Sequence, residues 1–227
     1  MYAPIYMLRR DGQAALEWQE EGLVLAREHG FSMWLAAGDT YRGWAVAEQG
    51  QGEEGIAQMR QGIANWQAIG SEAYQTQMLV MLAESHGKMG QAEEGLDTLA
   101  EAHALRDKTG ERWYEAELYR LAGELSLRMG EQETGRTGEK EIGVHSPILP
   151  LPHSSPEECF HKAIAIARRQ SAKSWELRAV MSLSRLWQQQ GKREEARQML
   201  AEIYGWFTEG FDTADLKEAK TLLAELS

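Results

Sequence analysis

Glycine recurs along this chain at positions 30, 50, 70, 90, 110 and 130, one every 20 residues. The segments between are rich in Ala, Leu, Glu, Gln and Met, all good helix formers. A glycine just past a helix end enters the left-handed region without a Cβ penalty, so it stops a helix cheaply. The spacing therefore predicts a helix, a glycine turn and a second helix, a unit of about 40 residues stacked into an all-α array.

Aligning Gly50, Gly90, Gly130 and Gly191 as the turn between helix A and helix B exposes further columns. Sixteen residues earlier stand Trp34, Tyr74, Tyr114 and Trp175, always aromatic. Seven residues earlier stand Gly43, Ala83, Gly123 and Ser184, always small. Glu53-Glu54, Glu93-Glu94 and Glu194-Glu195 follow the turn, and Glu157-Glu158 is displaced beyond an insert. The small residue is expected to let helix A approach its neighbour closely, where a larger side chain would overpack. The ring is expected to fill the space between hairpins. Paired glutamates in the first turn of helix B complement the helix dipole, and their recurrence argues for capping rather than acid–base chemistry.

The small residue, the Gly turn, the Glu-Glu pair and the small residues of helix B (Gly55 and Gly62, Gly95 and Ala102, Ala163) resemble the tetratricopeptide repeat, in a long-helix form. More narrowly, Lys173 to Leu226, the segment Glu115 to Met129 and the run CFHKAIAIARRQSAKSWELRA resemble the C-terminal repeat region of large bacterial signalling proteins. In those, a cyclase or DNA-binding regulatory module precedes an ATPase module and then such an array. The resemblance implies a right-handed α-α superhelix that senses or scaffolds, and it carries over no catalytic residue. One repeat domain is expected over 1–227: a half repeat 1–30, repeats 31–70, 71–110, 111–172 (with a loop insert 131–155) and 173–210, and a capping helix 212–227.

Residues 11–29 read as a helix B preceded by Met1–Arg10, which is too short for a full helix A and carries Pro4. Its apolar face, with Leu16, Leu23 and Leu25, is either covered by more of a longer parent chain or by self-association, and the resemblance favours the first. The stretch after Gly130, through Pro156, holds four prolines and reads as a surface loop, in which Ile148–Pro152 is apolar enough to dock on a groove. At the far end Asp212 reads as the N-cap of a final helix from about Ala214, with Asp215 in its first turn and Lys217, Glu218 and Lys220 facing water.

Composition excludes several classes. A net charge of −11 works against a duplex-binding surface, and Arg9-Arg10 and Arg168-Arg169 sit where helix C-termini favour cations. No apolar stretch is long enough to cross a bilayer, and a lone cysteine, Cys159, forms no disulfide framework. A cytoplasmic protein without direct nucleic-acid or membrane contact is expected. GRTGEK at 135–140 lacks a phosphate-loop pattern. His145, His153, Cys159 and His161 are metal-capable but lack ligand spacing, so no metal, cofactor or catalytic residue is assigned, and Glu157/His161 is only a pair to watch.

What remains is binding. Arg42, Gln49, Gln77, Glu84, Glu117, Arg120, Arg178 and Arg185 are the polar helix-A residues expected to line a concave surface for a protein or peptide, or for other domains of a parent chain. The alternative is a segment that senses a small-molecule effector, which eight tryptophans, Trp44 among them, would suit.

Overall fold

The computed structural model describes residues 3–137 and 155–227. Among these there are eleven helices and no strand. They form two compact units, Met1–Glu111 and Arg112–Ser227. The first holds α1 (Ala3–Leu8), α2 (Gly12–Glu28), α3 (Ser32–Glu48), α4 (Gly52–Ala68), α5 (Gln75–Lys88) and α6 (Ala92–Thr109). The second holds α7 (Glu115–Thr137), α8 (Pro156–Arg169), α9 (Lys173–Gln189), α10 (Arg193–Tyr204) and α11 (Ala214–Leu226).

Each helix packs on the next in its unit, as antiparallel hairpins do. The A helices also touch across hairpins: α1 with α3, α3 with α5, α7 with α9, and α9 with α11. Met1–Arg10 thus supplies a six-residue stub of helix A, where only an unpaired segment was expected.

The turns explain the spacing. Gly30, Gly50, Gly70, Gly90 and Gly110 all have φ between 68° and 90°. At Gly50 the amide donates to Ala47 and that of Gln51 to Val46, which satisfies two carbonyls left over at the end of α3. Arg10, at φ 56°, opens the same twenty-residue series without being glycine, and Ser171, also at φ 56°, does so after α8. Gly130 departs from the series: α7 runs through it to Thr137. One glycine costs a helix only about 1 kcal/mol, and the next proline is not reached until Pro147. The first seven residues of the expected insert, 131–137, are therefore helical. Ile148–Pro152, His145 and His153 lie outside the described residues.

Glu53-Glu54, Glu93-Glu94, Glu157-Glu158 and Glu194-Glu195 all fall in the first turn of a helix B. At α8 the arrangement is a reciprocal cap: Ser155 Oγ accepts from the Glu158 amide at 3.2 Å while Glu158 Oε2 accepts from the Ser155 amide at 2.7 Å. At α11 the N-cap is Thr213 and not Asp212; its hydroxyl donates to the Gly210 carbonyl at 2.7 Å.

Small residues bring the two helices of a hairpin together. A Cβ on Gly62 would lie 2.4 Å from Thr40 Oγ1 and 2.6 Å from its backbone nitrogen, so α3 and α4 meet nearly backbone to backbone. A Cβ on Gly123 would lie 2.6 Å from the ring of the fully buried Phe160 on α8. Ala83 is fully buried, and Ser184 donates to the Ala196 carbonyl at 3.3 Å.

The aromatic column divides. Tyr114 and Trp175 are buried and meet edge to face at 4.8 Å, and Trp113 stacks on Trp175 at 6.1 Å. Trp34 and Tyr74 are instead 46% and 52% exposed, contrary to the packing expected of them. By the forty-residue register the stub α1 matches residues 43–48, the opposite end of α3 from Trp34. Tyr74 precedes α5 at φ 60°, so its ring leaves the helix face. Trp44, by contrast, is buried as ordinary packing.

Candidate interaction surface

The helix-A face of the second unit is a polar seam. Glu117, Arg120 and Glu124 lie on one side of α7 at helical spacing, and Arg178, Ser182 and Arg185 on one side of α9. Arg120 grips Glu117 with two guanidinium nitrogens, at 2.8 and 2.6 Å, and reaches Glu124 with a third at 2.6 Å. Ser182 Oγ donates to Glu124 at 2.7 Å, linking α9 to α7. Arg178 Nη1 stands 3.8 Å from Glu117, and its Nε donates to Asp215 of α11 at 2.7 Å. Arg185 continues the seam to Glu218 at 2.5 Å. Burial works against the charge on Arg178, but Asp215 and Glu117, with the Asp215 hydrogen bond, hold its guanidinium above the ordinary arginine range.

This corrects the expected contact set. Glu117, Arg120 and Arg178 are buried and bonded within the unit. Arg185 is half-exposed but paired. Asp215 and Glu218 are the seam residues that sequence reasoning missed as partners, and Glu218 does not simply face water. The available signal was that α11 occupies the position of the next helix A, so its first two turns must meet α9.

In the first unit the nominated residues are scattered. Arg42 takes Gln58 of α4 at 2.7 Å and lies 3.8 Å from Glu20 of α2. Gln49 is exposed at the C-cap of α3. Glu84 holds Lys88 at 3.1 Å, and Lys88 also bonds Glu48. Burial opposes the Lys88 charge, yet Glu84 and Glu48 raise it above the ordinary lysine range. Gln77 is buried to 1%, and its Nε2 has no hydrogen-bond partner among the described residues. His86 is buried between Arg60, 3.3 Å from Nε2, and Gln91, 2.7 Å from Nδ1.

The groups capable of chemistry are tied down. Burial pushes the Cys159 thiol up to about 11, with Glu158 adding to the rise, so the thiolate is disfavoured. Glu157 is held below the usual carboxylate range, first by the indole of Trp187 donating to it at 2.7 Å. His161 lies 3.9 Å from Glu157 and is exposed, which makes this an ordinary surface pair. Among the described residues no three His, Cys, Asp or Glu side chains are grouped to hold a metal, and no helix is long and apolar enough to cross a membrane.

No family model and no curated protein matches the chain. Solved structures do. A singly substituted form of a Podosopora anserina putative kinesin light chain with nearly identical TPR-like repeats is 18% identical, with a TM-score of 0.52 over 89% of this chain and 90% of that one. A second crystal structure of that protein's repeats is 17% identical, with a TM-score of 0.50 over 98% of this chain and 92% of that one. The likeness is one of fold, and with the packed helix pairs it makes this chain an all-α protein of TPR-like helical hairpins.

Proposed function

We propose that this chain is a non-catalytic protein-interaction module, a cytoplasmic scaffold segment of a bacterial signalling or regulatory protein, with no direct contact to nucleic acid or membrane. The observation that carries the reading is the helix-A face of each unit. In the second unit it is polar and contiguous from α7 through α9 to α11, and Arg42, Gln49 and Glu84 of the first unit and Arg185 of the second keep part of their surface in water. The TPR-like fold and the resemblance of Lys173 to Leu226 to signalling-protein repeat regions support it. Repeat arrays of this kind offer long binding surfaces without needing a closed pocket.

Immobilised chain and an Arg42→Glu/Arg185→Glu variant, matched by circular dichroism, are exposed to lysate and the retained proteins identified by mass spectrometry. A partner held by the native chain and lost by the variant is expected. Retention indifferent to the variant, or no retention, overturns this placement.

A second reading, a segment that senses a small effector, rests on one observation. Trp66 Nε1, Thr76 Oγ1 and Gln77 Nε2, at the α4–α5 junction, are buried without a hydrogen-bond partner among the described residues. Buried donors left unmatched are costly, and a ligand bearing acceptor oxygens would satisfy them. A library of carboxylate metabolites tested by thermal shift decides it: a shift lost in Gln77→Met supports this reading, and none at all removes it.

A further inference from the structure

One end of the second unit combines cations with indoles. Glu115 begins α7, Glu176 lies in the first turn of α9, and both carboxylates are buried. The cations that satisfy them form the layer outside. Arg168 Nε donates to Glu176 at 2.6 Å and Lys173 to its other oxygen at 2.7 Å, while Arg112 donates to Glu115 at 3.1 Å and Arg169 stands 3.9 Å from it. The side chains of Arg168 and Arg169 are 52% and 70% exposed, against 4% and 8% for the acids beneath them. What solvent meets is therefore positive, on a chain whose net charge is −11.

Two large rings border that layer. Lys173 Nζ lies 5.7 Å from the ring of Trp206, and Trp113 stacks on Trp175, the neighbour of Glu176. Trp206 and Trp113 are 58% and 38% exposed. Tryptophan and arginine together are the side chains that most often dominate binding energy at protein interfaces. Exposed indoles bordering a layer of cations, with the Lys173 ammonium beside Trp206, suit an apolar side chain and a carboxylate presented side by side.

We propose that this end of the second unit docks an acidic peptide segment that carries an aromatic or leucine anchor, distinct from the polar helix-A seam. The proposal rests on reading the chain as an interaction module and adds the surface and the chemistry of the partner. The exposed cations set the sign of the partner's charge, because a basic segment would meet Arg168, Arg169 and Lys173 head on. The indoles set the need for an apolar anchor, since charge alone at a solvent-exposed rim contributes little affinity.

The test is a selection of random dodecapeptides on the immobilised full chain, followed by fluorescence anisotropy of the enriched peptides. Native chain is compared with Arg169→Glu and Trp206→Ala, both exposed and checked by thermal unfolding, and with Arg169→Gln as the milder form. Peptides rich in Asp and Glu around an aromatic or leucine are expected. Their Kd should rise at least tenfold in Arg169→Glu and in Trp206→Ala, less in Arg169→Gln, and with added salt. Enriched peptides that are neutral or basic, or that bind all variants equally, overturn this surface while leaving an interaction module elsewhere on the chain. No enriched peptide counts against both. Self-association in sedimentation that Arg169→Glu abolishes would make the occupant a second copy, and would likewise overturn the assignment.

Discussion

Gly43 of α3 and Gly55 of α4 each occupy the space where the other's side chain would begin. A Cβ on Gly55 would lie 2.5 Å from the Gly43 carbonyl oxygen, and a Cβ on Gly43 would lie 2.7 Å from that of Gly55. The obstacle on both sides is backbone, which cannot rotate away as a side chain can. Gly43→Ala or Gly55→Ala is therefore expected to lower stability by ~1–3 kcal/mol, despite alanine's helix propensity. Gly22, inside α2 with nothing within 4 Å of its Cβ position, supplies the opposite case. There Gly22→Ala should raise stability by about 0.5–1 kcal/mol. Urea unfolding of the three variants checks both signs.

Ser171 takes the left-handed turn after α8 that glycine takes elsewhere, with its amide bonded to Arg168 and that of Ala172 to Ala167. A Cβ in that region costs roughly 1 kcal/mol. Ser171→Gly should stabilise by about 0.5 kcal/mol, reduced by the greater freedom of glycine in the unfolded chain. A midpoint that falls would show that the serine side chain has a role of its own.

Arg178 and Asp215 tie α11 to α9 through a buried pair. Arg178→Met leaves Asp215 and Glu117 without that guanidinium, and a loss of ~3 kcal/mol is expected. Arg178→Met combined with Asp215→Leu should recover part of it, because the second change removes an uncompensated charge. A double-mutant cycle by chemical denaturation measures the coupling.

Glu176 supplies a pH dependence. Burial raises its carboxyl, but the hydrogen bonds and charges of Lys173 and Arg168 outweigh that and hold it below the ordinary value of 4.5. A carboxyl lower in the folded than in the unfolded chain stabilises fully above its unfolded value and loses that contribution as the pH falls through its folded one. The second unit should thus weaken as pH falls below about 4.5. Glu176→Gln should flatten that part of the curve in thermal melts between pH 3 and pH 7, and an unchanged slope would remove Glu176 from the account.

Cys159 is buried, with its thiol pushed up to about 11 by that burial. Iodoacetamide at pH 8 should leave it unmodified in the folded chain and alkylate it once urea opens the second unit. Mass spectrometry of the intact chain reads the difference. Rapid alkylation without denaturant would show that α7 and α8 part readily.

The repeat was legible from sequence because its marks are local. Helix-forming composition, a left-handed residue every 20 positions and acids in the first turn of helix B each act within a few residues, and the helices stand where those marks imply except at Gly130, which α7 runs through. The small column, Gly43 to Ser184, was also legible, since close approach leaves no other residue type room. Tertiary structure decided the rest. Tyr114 and Trp175 are covered while Trp34 and Tyr74, in the same column, are not, because cover comes from a neighbouring helix and not from the residue's own. Gln77, Glu117, Arg120 and Arg178 look like solvated helix faces in one dimension and are buried in three. The partners that make the burial of Arg178 tolerable, Glu117 and Asp215, stand 61 residues before it and 37 after it, on helices that only packing brings to its side. Charge at such distances along the chain has no local signature, and only the fold determines which carboxylate faces which guanidinium.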